Sequence, residues 1–307
     1  MNAAPQPAAS ATLPIVDTHH HVWDLSVRAQ PWLDQDGLAP LRRNFTMADL
    51  EPEAVAAGVT ATVLVQTVIE PGETPELLAL AAGNNLIAGV VGWVDLADPD
   101  IPDTIAALRE LPGGDYLVGI RHPVLVEQDD SWLHRPEVLR GLAAVAQAGL
   151  VYDIVCTPRQ LPAAVMAAAA LPGLTFVLDH LGNPDGDPPD AGPWASALRE
   201  LAALPNTICK LSGVLSDAFT DRDERTAAGI DNLAPLVRQY FDTSLRAFGT
   251  NRLMFGSDWP PCTLTSSYRD VLTAARALTD DLSPAEQAAV FAATARRSYG
   301  LGSAAQA

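Results

Sequence analysis

Short apolar runs and longer amphipathic segments alternate along almost the whole chain. Runs rich in β-branched and aliphatic residues fall at 15–23, 61–68, 87–96, 116–124, 151–157, 175–182, 207–213 and 252–259. Most are continuous rather than alternating, the pattern of strands buried on both faces, as parallel strands are. The segments between them are rich in Ala, Leu and Glu, with apolar residues at helical spacing. They predict helices over 47–57, 75–83, 100–110, 136–148, 160–170, 194–204, 231–248 and 267–279. Gly58, Gly149 and Gly249 stand just past three of these, where helices end. Ser283-Pro284 with Glu286 reads as the cap, first-turn proline and acidic first turn of a last helix over 284–298.

Eight strand–helix alternations predict an α/β fold of the (β/α)8 barrel type, a single domain over 14–303. A doubly wound sheet is the competing architecture, but no G-x-G-x-x-G follows the first strand and no G-x-x-x-x-G-K-[ST] occurs. The longest irregular stretches, 24–45, 124–135, 183–193 and 214–229, each follow a strand. A barrel gathers such loops over the C-terminal ends of its strands, the face where active sites form.

The 307 residues, 48% apolar, suit one barrel-sized domain. A net charge of −18 argues against a nucleic-acid or anionic-membrane partner and leaves a small molecule as the expected one. An anionic substrate would need a local arginine to offset that field. No uninterrupted apolar stretch reaches the roughly 18 residues of a membrane span. Residues 1–13 are Ala/Pro-rich without Lys or Arg and read as a disordered tail, not a signal peptide. Cys156, Cys209 and Cys262 are odd in number, far apart and set in apolar runs, which suits free thiols in a reducing cytoplasm. Oligomeric state is left open, a homo-oligomer included.

Titratable residues collect at the predicted strand ends. His19 and His21 close the first strand, and alternation turns both to one face with His20 opposite. Arg121 and His122 end the fourth strand, Asp153 lies in the fifth, Asp179 and His180 end the sixth, Lys210 lies in the seventh and Asp258 ends the eighth. In a barrel the first and eighth strands are neighbours, so Asp258 falls beside His19 and His21, with His180 across the mouth. Three imidazoles and a carboxylate on one point suit Zn²⁺ or a similar divalent ion.

The segments Asp17-Thr18-His19-x-His21, Leu178-Asp179-His180-Leu181-Gly182-Asn183-Pro184 and Phe255-Gly256-Ser257-Asp258-Trp259-Pro260 resemble the amidohydrolase superfamily. Val91-Gly92-Trp93-Val94-Asp95, Gly119-Ile120-Arg121-His122 and Lys210-Leu211-Ser212-Gly213 narrow the likeness to the branch of sugar and pyrone-dicarboxylate lactonases. The resemblance runs from about Pro14 to Leu301. It implies a barrel hydrolase that opens a lactone, with His19, His21, His180 and Asp258 central and Asp258 activating water. The fifth strand offers no histidine and the fourth no lysine, so a two-metal centre is not expected. Two forms of the site stay open: one divalent metal on His19, His21 and Asp258, with or without His180, or a metal-free site whose histidines bind the lactone carbonyl directly.

Arg121 and Gln66 are expected to meet substrate oxygens, and His122 and Asp153 are further candidates. Trp23 and Trp32 are expected as substrate walls, although tryptophan also serves as a core anchor. Asp17 either orients a histidine or accepts backbone hydrogen bonds, and Lys210 reads as structural. A metal-dependent decarboxylase of the same superfamily and a non-catalytic binding protein on a barrel scaffold are the competing functions. With no G-x-S-x-G and no H-E-x-x-H, serine-hydrolase and zincin chemistries are not indicated.

Overall fold

A computed structural model of the chain describes residues 13–184, 189–213 and 230–302. The strands are β1 (Ile15–His20), β2 (Val59–Val65), β3 (Ile87–Gly92), β4 (Leu117–Pro123), β5 (Val151–Val155), β6 (Phe176–Leu178), β7 (Thr207–Leu211) and β8 (Leu253–Phe255). They pair in parallel and in chain order. The ring closes through residues just past β8. The Asp258 N–H donates to the His19 carbonyl at 2.7 Å, and the His21 N–H donates to the Trp259 carbonyl at 2.7 Å.

Helices return the chain between strands: α1 (Met47–Ala56), α2 (Glu73–Ala82), α3 (Ile101–Arg109), α4 (Pro136–Gln147), α5 (Leu161–Ala170), α6 (Pro193–Ala202), α7 (Ile230–Phe248) and α8 (Tyr268–Thr279). The expected (β/α)8 barrel is the fold observed. The expected last helix is split into α9 (Pro284–Ala288), a π-helical turn (Ala289–Ala293) and α10 (Thr294–Tyr299). Its start is as read: the Ser283 N–H donates to the Glu286 carboxylate at 2.9 Å, a capping box.

Two apolar cores follow from strand alternation. One lies between sheet and helices. The other fills the barrel, with Val16, Val63, Val91, Val177, Ile208 and Met254 meeting Tyr299 and Leu301 from the C-terminal segment. On β1, Asp17 pairs with Thr62 and His20 with Leu64, so three steps of one strand match two of the other. This bulge shifts the phase of β1, and both Val16 and His19 face the interior.

All eight predicted strands run past the observed C-terminal ends, most of all in the third, sixth and eighth. The hydrophobic signal continues there, but the backbone leaves the ladder. His180 (φ 56°), Leu181 (φ 53°), Asn183 (φ 48°) and Asp258 (φ 57°) are all left-handed. L-residues rarely adopt that region, and such positions collect at functional sites. Leu13 apart, the tail expected over 1–13 lies outside the described residues, as do the domain's end at 303, the stretch 214–229 and residues 185–188 of the stretch 183–193. Among the described residues, no helix is long and apolar enough to cross a membrane.

Candidate active site

The four central residues come from three tips of the ring. His19 and His21 leave β1, His180 follows β6 and Asp258 follows β8. His19 Nε2 lies 3.2 Å from His21 Nε2, and Asp258 Oδ1 lies 3.7 Å from each of those nitrogens. The His180 ring centroid is 4.6 Å from that of His19. Ligand atoms of His19, His180 and Asp258 all fall within 4.8 Å of one another. All four side chains are buried.

Hydrogen bonds fix the rings. His21 Nδ1 lies 2.8 Å from the Val65 carbonyl and can only donate to it, which in a neutral ring leaves a lone pair on Nε2 facing the cluster. His180 Nδ1 lies 2.9 Å from Ser212 Oγ, so its Nε2 is the free nitrogen. His19 Nδ1 sits 3.4 Å from Asp179 and 3.3 Å from Lys210 Nζ. Two glycines make room. A Cβ on Gly213 (φ 66°) would stand 2.5 Å from His180 Nδ1, and one on Gly256 would stand 2.7 Å from the His19 Cβ.

A charge network lies beneath. Lys210 Nζ is 2.6 Å from Asp153 and 3.0 Å from Asp179, and Asp179 also holds Arg121 at 3.2 Å. Tyr299, rising from the barrel floor, donates to Asp153 at 2.8 Å. Burial pushes the Asp153 carboxyl up to about 6 even against Lys210. Burial raises Asp179 too, but Lys210, His19 and Arg121 outweigh it and hold that carboxyl well below its ordinary range. Asp258 behaves likewise: burial is outweighed by His180, His21 and His19, and its pKa falls below the ordinary value. Burial lowers His19 and His180, and the neighbouring carboxylates Asp179 and Asp258 oppose that shift.

The sequence profile of the amidohydrolase family matches residues 16–301. The chain belongs to the amidohydrolase family. An L-fucono-1,5-lactonase of Burkholderia multivorans is 36% identical over 293 residues, spanning 93% of this chain and 96% of that protein. A crystal structure of an amidohydrolase from B. multivorans with bound zinc superposes with a TM-score of 0.85 at 35% identity, covering 94% of this chain and 99% of that one. A putative 2-pyrone-4,6-dicarboxylic acid hydrolase from Pseudomonas putida shares the fold, with a TM-score of 0.74 at 22% identity over 94% of this chain and 98% of that one.

The donor set of this amidohydrolase fits a divalent ion. Two ligands about 2.0–2.1 Å from a tetrahedral ion stand roughly 3.3 Å apart. The 3.2 Å between His19 Nε2 and His21 Nε2 is close to that edge. The His21 lone pair and the ionised Asp258 carboxylate also face a common point. Three nitrogens and one oxygen suit zinc.

A cavity of about 520 Å³ opens above these residues. Its wall includes His21, Gln66, Arg121, His180, Asp258 and Trp32. The other expected contacts lie elsewhere. Trp23 is buried behind the wall, its indole N–H donating to the Arg43 carbonyl at 2.7 Å and its ring against Trp32 and Phe45. His122 is stacked on Trp132 at 4.1 Å and held between Trp93 and Glu127. Asp153 lies below the cavity in the charge network. Asp17 accepts from the Ser257 N–H at 2.8 Å and the Tyr268 hydroxyl at 3.0 Å, which ties β1 to the β8 tip and α8. His20 turns outward to Thr62, as alternation predicts.

Sequence reasoning missed Asp179, Ser212 and Gly213 as partners of the histidines. One signal was available. A lysine inside the apolar run Thr207–Leu211 demands buried carboxylates, and Asp153 on β5 and Asp179 just past β6 supply them.

Proposed function

We propose that this amidohydrolase opens a lactone ring by hydrolysis, with Asp258 as the base that takes a proton from water. The observation that carries the reading is one ionised carboxylate set 3.7 Å from two imidazole nitrogens at the base of a 520 Å³ cavity. The 36% identity to L-fucono-1,5-lactonases supports a cyclic ester as the substrate.

The chemistry follows from the groups present. The depressed pKa keeps Asp258 ionised at neutral pH and able to accept a proton. Water oxygen bonds to the lactone carbonyl carbon as its proton passes to Asp258. The ring C–O bond then breaks, and the proton goes from Asp258 to the departing ring oxygen, giving the hydroxy acid. A single divalent ion held by His19, His21, His180 and Asp258, zinc by the character of the donors, would supply Lewis-acid polarisation of the carbonyl. Gln66 and Trp32 line the substrate's path. Arg121 acts through His19 and Asp179, because its five N–H groups face Gln66, Asp179 and His19.

The test is a proton-release assay over a lactone panel that includes L-fucono-1,5-lactone, run with the parent and Asp258→Asn. A general base contributes roughly 10²–10⁴-fold, so the variant should fall by at least a hundredfold with unchanged thermal unfolding. Turnover within tenfold of the parent removes Asp258 from the role of base.

A further inference from the structure

The outer wall of the cavity differs in character from its base. Beyond the histidine–aspartate cluster, the described wall presents Ile69, Leu125 and Val126, which are 40%, 41% and 57% exposed, together with Trp32, Val68 and Val155. Large apolar side chains exposed around one opening mark a surface built to be covered. The polar groups among them are already engaged. Gln66 faces Arg121 and the Val68 carbonyl, Thr67 is bonded to Glu73, and Glu70 is paired with Arg28. The Asn183 amide donates to the Cys156 carbonyl at 2.9 Å. Gln35 at the rim, the Asn183 carbonyl oxygen, the second Glu70 oxygen and the second Gln66 amide N–H are the exceptions. A ligand with many hydroxyls would find few free partners on this wall, and each unmatched hydroxyl would lose its water.

Charge narrows the ligand further. Arg121 is the cation on the described wall, and its guanidinium is bonded to Gln66 and Asp179, with one further N–H facing His19. Glu70 adds an acid at the rim, on a chain of net charge −18. On the described wall a substrate carboxylate therefore meets a guanidinium already bonded to Gln66 and Asp179, and an acid at the rim.

We infer that the substrate is a neutral lactone bearing an apolar substituent, an alkyl or aryl arm that lies against Ile69, Leu125 and Val126 while the ring carbonyl faces Asp258. The inference rests on the lactonase reading and sharpens it. The reaction is unchanged: water adds to the carbonyl carbon and the ring oxygen leaves with a proton. At about 520 Å³ the cavity has the size of sites that take ligands larger than one bare ring.

The experiment measures kcat/KM for δ-lactones of four kinds: unsubstituted, alkylated with arms of increasing length, polyhydroxylated and carboxylated. Each methylene buried against the wall should raise kcat/KM about three- to fourfold, until the wall is covered. The carboxylated ring should run at least tenfold slower than its alkyl counterpart. In the double variant Ile69→Asn/Val126→Asn, the preference for alkylated over polyhydroxylated rings should shrink about tenfold or more. A polyhydroxylated or carboxylated ring opened as fast as the alkylated ones, or a preference unmoved in the double variant, overturns the inference and leaves lactone hydrolysis standing. A parent that opens none of the panel above the spontaneous rate removes both readings.

Discussion

Lys210→Met removes a buried charge and keeps most of the side-chain volume. The ammonium lies 2.6 Å from Asp153 and 3.0 Å from Asp179, and all three side chains are shut off from solvent. The discount that applies to exposed ion pairs is therefore absent. Removing one partner of a buried pair costs about 3–5 kcal/mol, and with two carboxylates deserted at once the upper half of that range is expected. At roughly 2–3 °C per kcal/mol for a chain of this length, Tm should fall by about 8–15 °C near pH 8.

The pH dependence carries the sharper test. Asp153 titrates at about 6 when folded, against an ordinary 3.8. The folded form binds the proton more readily, so this carboxyl's contribution to stability is full below its unfolded value and is lost as pH climbs from about 4 to about 6. Without Lys210 the folded value rises further, and a proton can replace the missing ammonium. The variant's deficit should therefore shrink on going from about pH 8 to about pH 5, and Asp153→Asn added to Lys210→Met should restore part of it at the higher pH. Calorimetry of parent, single and double variants at both pH values measures this. A Tm within about 2 °C of the parent near pH 8, or a deficit that does not shrink on acidification, refutes the assignment of Lys210 as the charge that keeps these carboxylates ionised.

Three further outcomes follow from the site. Gly213→Ala drives a methyl toward a point 2.5 Å from His180 Nδ1, so kcat/KM should fall about 10- to 100-fold; steady-state kinetics showing parental turnover would remove the close approach from the account. With Asp258 held below the ordinary carboxylate value, its acid limb in kcat/KM should lie below about pH 4. A pH–rate profile with a limb near 6 that shifts in Asp258 variants contradicts this. Zinc binding to metal-stripped protein, followed by calorimetry, should weaken about tenfold or more in His180→Ala, and equal affinity would take His180 out of the donor set.

The barrel was legible because its strands are buried on both faces, so the β-branched runs show wherever a strand lies. Their ends were not legible. The runs at 175–182 and 252–259 stay apolar through segments where the backbone has already turned left-handed at His180 and Asp258, and hydrophobicity does not register φ. The convergence of His19, His21, His180 and Asp258 was legible because ring topology makes the first and last strands neighbours. The separation of candidates around it was not. Trp23 and Trp32 look alike in sequence, yet one is packed inside and the other forms the wall. Arg121 stands on the cavity wall as expected, but its bonds to Gln66 and Asp179 were not legible.

The seam that shuts the barrel runs through the chemistry itself. The backbone of Asp258 bonds to His19, and that of Trp259 bonds to His21. Zipping the final edge and assembling the reactive cluster are thus one event, and a chain with that edge still open holds its base and its imidazoles apart. During refolding, turnover should return with closure of this edge and never ahead of it, which makes catalysis a readout of ring closure.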